Sequence, residues 1–167
     1  MRKELAGIEK LDRQESAFNA GIYRADFTRR TYGELITRTE LALAAEKPGC
    51  IVLDASYQSR RERERLRDRL EKKCRMLFIH CICPDETVRE RLARRAADPQ
   101  AVSDGRWEIF LQQKKNFTLP LELGQQLLVT LDTDGPLTAL LLAVEGKVKE
   151  KGLEFRQLQT IGKRGCC

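Results

Sequence analysis

The chain has 167 residues, of which 41% are apolar and 34% charged; this suits one domain able to bury roughly 70% of its unfolded surface and excludes a disordered or low-complexity chain. The formal net charge is +6, and the excess is local, because residues 59–75 hold seven Arg and two Lys against four acids. The longest apolar run, Leu137 to Val144, is interrupted by Thr138 and too short for a bilayer, and Met1-Arg2-Lys3-Glu4 leads into no signal-like stretch, so a cytoplasmic protein with no membrane partner is expected.

In chain order, Leu5, Ile8 and Leu11 share a stripe that predicts a helix over 1–12. Gly21-Ile22-Tyr23 reads as a loop. Thr28 or Thr31 is expected to cap a helix running to Glu46, with Leu35, Ile36, Thr39, Ala42 and Leu43 at helical spacing and Pro48-Gly49 as the stop. Cys50-Ile51-Val52-Leu53, ending in Asp54, reads as a strand buried on both faces. Ser59 opens a helix to Cys74 with Leu66, Leu70 and Cys74 as its narrow apolar stripe. Residues 76–83, Met-Leu-Phe-Ile-His-Cys-Ile-Cys, form a second buried strand. Pro84-Asp85-Glu86 begins a helix to Ala97, with proline early and acids in the first turn.

Asp98-Pro99-Gln100 breaks the chain, and Ser103-Asp104 caps a helix through Trp107, Phe110 and Leu111. Phe117 to Gly124 is a loop, and Gln126 to Leu131 a third strand before Asp132. A last helix runs from Pro136 to Glu150. Residues 1–150 thus form one domain, and 151–167 a basic, flexible tail with reactive thiols at Cys166 and Cys167. Strands alternating with helices imply right-handed crossovers and a parallel α/β sheet, with ligands at the carboxyl ends of strands, where Asp54, Ser56, Tyr57 and Asp132 fall.

Several chemistries find no motif. Neither Gly146-Lys147 nor Gly162-Lys163 sits in a Gly-x-x-x-x-Gly-Lys-Ser/Thr loop. The dinucleotide glycine fingerprint and the Gly-x-Ser-x-Gly elbow are absent, and one histidine excludes a two-His zinc helix. Cys81 and Cys83 share a strand face that His80 does not, and no second ligand pair lies at zinc spacing, so no metal site is expected from the cysteines.

Three segments carry a resemblance. They are Gly21-Ile22-Tyr23-Arg24 with Thr28, Thr31 and Tyr32; Ile51-Val52-Leu53-Asp54-Ala55-Ser56-Tyr57 with Arg60, Arg61 and Arg63; and Cys83-Pro84-Asp85-Glu86-Thr87-Val88-Arg89-Glu90-Arg91-Leu92-Ala93-Arg94-Arg95 with Ser103-Asp104. Over residues 2–145 they resemble AAA-family ATPase, or P-loop kinase, domains related to gluconate kinase, zeta toxin and polynucleotide kinase. The resemblance implies an α/β, parallel-sheet, three-layer fold and ATP-dependent transfer of a phosphoryl group to a small-molecule hydroxyl, with ATP and Mg2+ as cofactors. It also implies an N-terminally truncated domain, because in the family a strand, the phosphate-binding loop, its helix and a second strand precede the position matching Arg2-Lys3. A chain without that loop is expected to be inactive or incomplete, and an exposed sheet edge would invite self-association.

By the same resemblance Arg91 and Arg95 are catalytic lid arginines, with Arg94, Ser103 and Asp104 on the nucleotide side. Asp54 helps hold the magnesium shell or the acceptor, and Tyr23 and Thr31 line the acceptor side. Read without the family, Arg91 to Arg95 is a solvated helix end, Asp54 a turn residue and Ser103-Asp104 an ordinary cap. A second reading rests on Arg61, Arg65, Arg69 and Lys73, one i, i+4 row of like charge. It makes the chain a basic nucleic-acid-binding or protein-interaction module, although residues 59–75 offer no aromatic for base stacking.

Overall fold

The computed structural model describes residues 1–9, 11–12, 21, 24–45, 49–101 and 105–153. Helix α1 spans Arg2–Leu5, α2 Ala25–Leu43 and α3 Arg60–Leu70. Strand β1, Phe78–Ile82, leads into α4, Asp85–Ala97, and then α5, Trp107–Asn116. A 3-10 turn at Leu121–Leu123 and the short α6, Gly124–Leu127, lead to β2, Leu128–Asp132. Helix α7 covers Leu137–Glu150.

The two strands pair in parallel, with Phe78 opposite Leu128 and Ile82 opposite Asp132. Parallel neighbours need a long crossover, and α4 and α5 supply it. Thr133 extends the pairing by one step, donating from its N–H to Ile82 O at 2.8 Å. The fold is therefore α/β with a small parallel sheet.

Four expectations need correction. The helix over 1–12 stops at Leu5. Gly7 has φ of 67°, and the bonds Gly7 N–H to Glu4 O (3.1 Å) and Ile8 N–H to Lys3 O (2.9 Å) close the end as a Schellman motif. Neither Thr28 nor Thr31 caps α2, which starts earlier with Arg24 at its N-cap. Thr31 instead donates back to Phe27 O at 2.9 Å. Helix α3 ends at Leu70 rather than Cys74, because residues 71–73 are charged and exposed and give no apolar contact to hold another turn.

The fourth correction concerns the sheet. Residues 50–54 belong to no strand, since among the described residues no ladder partner reaches them. Burial alternates along the segment: Ile51, Leu53 and Ala55 are half-buried, Val52 and Asp54 exposed. Leu53 and Ala55 pack on the main core. The apolar run is thus covered on one face only. Strand β1 is likewise not buried on both faces, since Ile79 and Ile82 remain 40% and 42% exposed.

The main core joins α2, α3 and the segment between them. Tyr32, Ile36, Tyr57, Leu66 and Leu70 are buried together. Residues 32 and 36, and 66 and 70, are each four apart, so one stripe of each helix meets the other. The two helices approach closely at Gly33, where a Cβ would lie 3.1 Å from Arg65 Nη2. A smaller apolar group surrounds β2, with Val129 and Leu131 buried and α7 packed against the strand.

Candidate functional site

Helix α2 presents Thr28, Thr31, Tyr32 and Leu35 on one face, at i, i+3, i+4 and i+7. That face, residues 54–59 and the first turn of α3 enclose a cleft of about 610 Å³, within the range of small-molecule sites. Arg2, Arg29 and Arg61 stand around it, and Asp54, Gln58 and Glu62 also line it.

The wall between Asp54 and α3 is a strained turn. Tyr57 has φ of 36°, the left-handed region that a bulky residue seldom adopts. Such a conformation costs about 1–3 kcal/mol and persists only when its surroundings over-determine it. Here they do. The Tyr57 N–H donates to Tyr32 Oη at 3.1 Å, and Tyr32 Oη also pairs with Ser56 Oγ at 3.1 Å. Arg63 Nη1 donates to Tyr57 O at 2.8 Å. The two tyrosine rings pack with centroids 4.8 Å apart. One phenol oxygen thereby fixes Ser56 and Tyr57, the residues that follow Asp54.

Arg63 is the second anchor. Its Nε donates to Glu122 Oε1 at 2.6 Å, and the side chains are only 3% and 6% exposed. Its Nη2 reaches Leu119 O at 3.4 Å. A buried guanidinium satisfied by one carboxylate and two carbonyls meets the condition under which a buried ion pair is tolerated. The Arg63 hydrogen bond holds the Glu122 carboxyl below its ordinary value of 4.5. Burial, and then the neighbouring Tyr32 and Glu62, push the Tyr57 phenol well above its ordinary 10.0, so it stays protonated.

The basic row of α3 and of the turn that follows it faces largely towards α2. Arg69 Nη2 and Lys73 Nζ both contact Glu40, at 2.6 and 2.5 Å, and Arg65 Nη1 donates to Arg29 O at 3.2 Å. Arg61, the first member, faces the cleft. The like-charge crowding at i, i+4 is relieved by a carboxylate and a carbonyl of this same chain.

Of the expected site residues, Thr31 and Asp54 meet in the cleft. Arg91, Arg94 and Arg95 lie on α4, outside its lining. Arg91 Nη2 donates to Thr133 O at 2.6 Å, and Nη1 reaches Thr133 Oγ1 at 3.4 Å, which ties α4 to the end of β2. Arg94 and Arg95 are exposed in the last turn of α4. Tyr23, Ser103 and Asp104 lie outside the described residues. His80 stacks on Phe117 with centroids 5.0 Å apart, and burial, then Arg63, lowers its pKa from 6.5. Burial and the nearby Asp54 raise the Cys81 thiol, which leaves it a poor nucleophile. Among the described residues no group of three or more His, Cys, Asp or Glu is placed to hold a metal.

Glu62, Gln58, Arg2 and Arg29 were not expected in a site. Glu62 had a legible signal, because positions 62, 66 and 70 continue one stripe of α3 and a carboxylate on an apolar stripe points inward. Arg2 had none, since only the return of α1 to α2 places it there, and Arg29 sits on α2 one residue from the face that lines the cleft. Arg2 Nη1 donates to Thr28 Oγ1 at 3.0 Å.

A family model described as AAA domain matches residues 1–120. The chain belongs to this P-loop kinase-like AAA domain family, whose members typically use ATP and Mg2+. No curated protein and no solved structure matches the chain. The match spans both cleft helices and α4. No helix among the described residues is long and apolar enough to cross a membrane.

The donor set fits the family's ligand in part. Arg94 and Arg95 are exposed cations suited to phosphate, and Asp54 is an exposed carboxylate. The Gly-x-x-x-x-Gly-Lys-Ser/Thr pattern that cradles the β- and γ-phosphates does not occur in these residues. Gly146-Lys147 lies inside α7, where the amides are spent on the helix.

Proposed function

We propose that this chain carries the acceptor and lid side of a kinase-type domain that transfers the ATP γ-phosphoryl group to a small-molecule hydroxyl. The observation that supports the reading is the open cleft between α2 and α3, within the family match, which Thr31 and Asp54 both line. In that role Asp54 orients the acceptor hydroxyl, and Thr31 and Ser56 line the same cleft. The arginines of α4 stand on a separate element, as expected of a lid, with Arg91 anchoring the helix and Arg94 and Arg95 exposed. Phosphoryl transfer is mostly positioning and charge stabilisation, so such a division of labour is chemically sufficient on the acceptor side.

These 167 residues contain no Gly-x-x-x-x-Gly-Lys-Ser/Thr. We therefore infer that by themselves they bind Mg-ATP weakly or not at all. Calorimetric titration of the chain with Mg-ATP is expected to show no saturable heat. Supplying an in-frame segment bearing the loop, if the upstream DNA encodes one, is expected to restore binding and hydroxyl phosphorylation, and Asp54→Asn in that longer chain to lower kcat by about 100-fold or more. Tight Mg-ATP binding by the chain alone would overturn the inference of weak binding. Full transfer by the Asp54→Asn protein would remove Asp54 from the chemistry.

The nucleic-acid reading draws less support, since Glu40 and the Arg29 carbonyl already engage Arg65, Arg69 and Lys73. Binding to a duplex that weakens steeply with salt would restore it.

A further inference from the structure

Strand β1 has an edge that nothing among the described residues occupies. In an extended strand the N–H and C=O of one residue point to the same side, and successive residues alternate. The Thr133 N–H donates to Ile82 O at 2.8 Å, so Ile82, and with it His80 and Phe78, faces β2. The N–H and C=O of Ile79 and Cys81 therefore face away from β2, and no described residue pairs with them. The usual protections of an exposed edge are missing, because Phe-Ile-His-Cys-Ile holds no Lys, Arg, Asp, Glu or Pro and its register runs without a bulge. Residues 50–54 are in the same condition, since no backbone hydrogen bond ties them to another described residue. Yet both segments lie over one floor. Leu53 and Ala55 pack on the α2–α3 core, as do Met76 and Phe78, and the charge of Asp54 reaches the Cys81 thiol. The segments are neighbours, but farther apart than the roughly 4.8 Å at which adjacent strands pair.

We propose that the gap between residues 50–54 and β1 is a slot one strand wide, which takes a single extended, uncharged, apolar segment of a partner protein that pairs with Ile79 and Cys81. The chemistry of the occupant follows from the walls. Residues 50–53 and 78–82 hold no Lys, Arg, Asp or Glu, so a charged side chain entering between them would lose solvation without gaining a counter-ion. Val52, Ile79 and Ile82 remain exposed around the slot, and Leu53 and Phe78 are only partly covered on the core side. Apolar surface on both faces calls for successive β-branched residues, as in a strand covered on two sides. A second copy of this chain fits worse. Its β1 is the rim of a sheet that carries β2, whereas a slot with two walls admits only a strand free on both edges. In additions of this kind main-chain pairing supplies the affinity and side-chain fit the selectivity. The inference does not depend on the kinase reading, because neither nucleotide nor acceptor enters it.

The test is titration of the full chain, without nucleotide, with a synthetic peptide of alternating valines and isoleucines flanked by lysines for solubility, followed by amide exchange at single residues in nuclear magnetic resonance. Saturable binding with a Kd of about 10–100 µM is expected. The Ile79 and Cys81 amides should exchange at least about tenfold more slowly with peptide bound, while His80 and Ile82, already paired with β2, change little. A peptide with proline at its centre lacks a donor there and should bind about tenfold more weakly. Ile79→Pro removes a donor on the open side only, so it should leave the His80 and Ile82 amides protected and weaken peptide binding by about tenfold or more. Should that variant fail to fold, the central-proline peptide on the unaltered chain carries the test. No saturable binding, equal binding of the two peptides, or protection that spares Ile79 and Cys81 would overturn the proposal. Protection of those two amides without peptide would overturn it as well. If it rises with protein concentration, the edge belongs to a second copy; if it appears in the longer, loop-bearing chain, it belongs to that chain's own preceding segment.

Discussion

The α2–α3 half and the β1–β2–α7 half of this protein solve the same problem with different success. In the first, two helices close over Tyr32, Ile36, Tyr57, Leu66 and Leu70, and a buried arginine ties the intervening turn to residues 119–122. In the second, two strands and one helix bury Val129, Leu131 and Val148. They leave Leu137, Leu141 and Leu142 exposed at 70%, 60% and 70%. A two-stranded sheet with one helix on it has too few layers to cover both of its faces. The difference teaches where rigidity resides. The half that holds the cleft is the half with a closed core, so the cleft is built on the firmer ground that a binding site needs.

The largest expected effect is at the buried ion pair. Arg63→Met leaves Glu122 charged and unpaired and is expected to cost about 3–5 kcal/mol in urea unfolding. The double variant Arg63→Met, Glu122→Leu is expected to regain most of that loss. A double variant as unstable as the single one would show that the carbonyl bonds from Arg63, rather than the pair, hold the turn.

Next comes a direct contrast between the halves. Leu70→Ala, in the closed core, is expected to cost about 2–5 kcal/mol. Leu141→Ala, on the open face of α7, is expected to stay within about 0.5 kcal/mol. Comparable losses at the two positions would mean that the α7 face is covered in solution. In that case stability would also rise with protein concentration, as it does when association favours the folded state.

A smaller effect follows at the turn. Tyr32→Phe keeps the ring stack with Tyr57 but removes the acceptor for the Tyr57 N–H, and a loss of about 1–3 kcal/mol is expected. Hydrogen exchange at the Tyr57 amide should accelerate more than exchange in β2. Uniform acceleration would merge the two halves into one cooperative unit.

The gentlest probe is pH. His80 has its folded pKa lowered below 6.5, so the unfolded chain takes up the proton first. Its contribution is full above pH 6.5 and is lost as pH falls through the lower folded value. Glu122, lowered by Arg63, and Glu40, lowered by Lys73 and Arg69, contribute fully above their ordinary 4.5 and lose that contribution below it. Chemical unfolding at stepped pH should therefore show a plateau from 6.5 towards the ordinary thiol value of 9.0, above which the raised Cys81 and Cys74 thiols favour the unfolded chain, a shallow fall below 6.5 and a steeper one under 4.5. The Arg63→Met, Glu122→Leu protein should lose part of the steep limb, and an unchanged limb would assign it elsewhere.

Much of the local structure is legible in the residues. Ser59 followed by Glu62 marks the start of α3, and the Ser59 hydroxyl does accept from the Glu62 N–H at 3.4 Å. Pro84 with Asp85 and Glu86 marks the start of α4 within a residue. Gly7 shortens α1 through a cap whose signal, a glycine one residue past the last turn, was present and outweighed by the Leu5, Ile8 and Leu11 stripe. Residues 50–54 are apolar enough for a buried strand, yet a strand exists only where a neighbour completes its ladder. Of the site, Asp54 and Thr31 could be named from family-like segments, whereas Gln58 and Glu62 needed the cleft itself.

The sequence by itself determined the alternation of helices with apolar strand-like runs, the family, and the lack of a glycine–lysine phosphate loop in these residues, because each is a property of order and spacing along the chain. Tertiary structure alone decided which charges are available. Arg63, Arg65, Arg69 and Lys73 look alike in a basic run, but the approach of α2 and of residues 119–122 engages these four while Arg61 faces the cleft. A charge is spent or spare according to what stands within a few ångströms of it, and that neighbour is 36 residues away in sequence for Arg65 and 59 for Arg63.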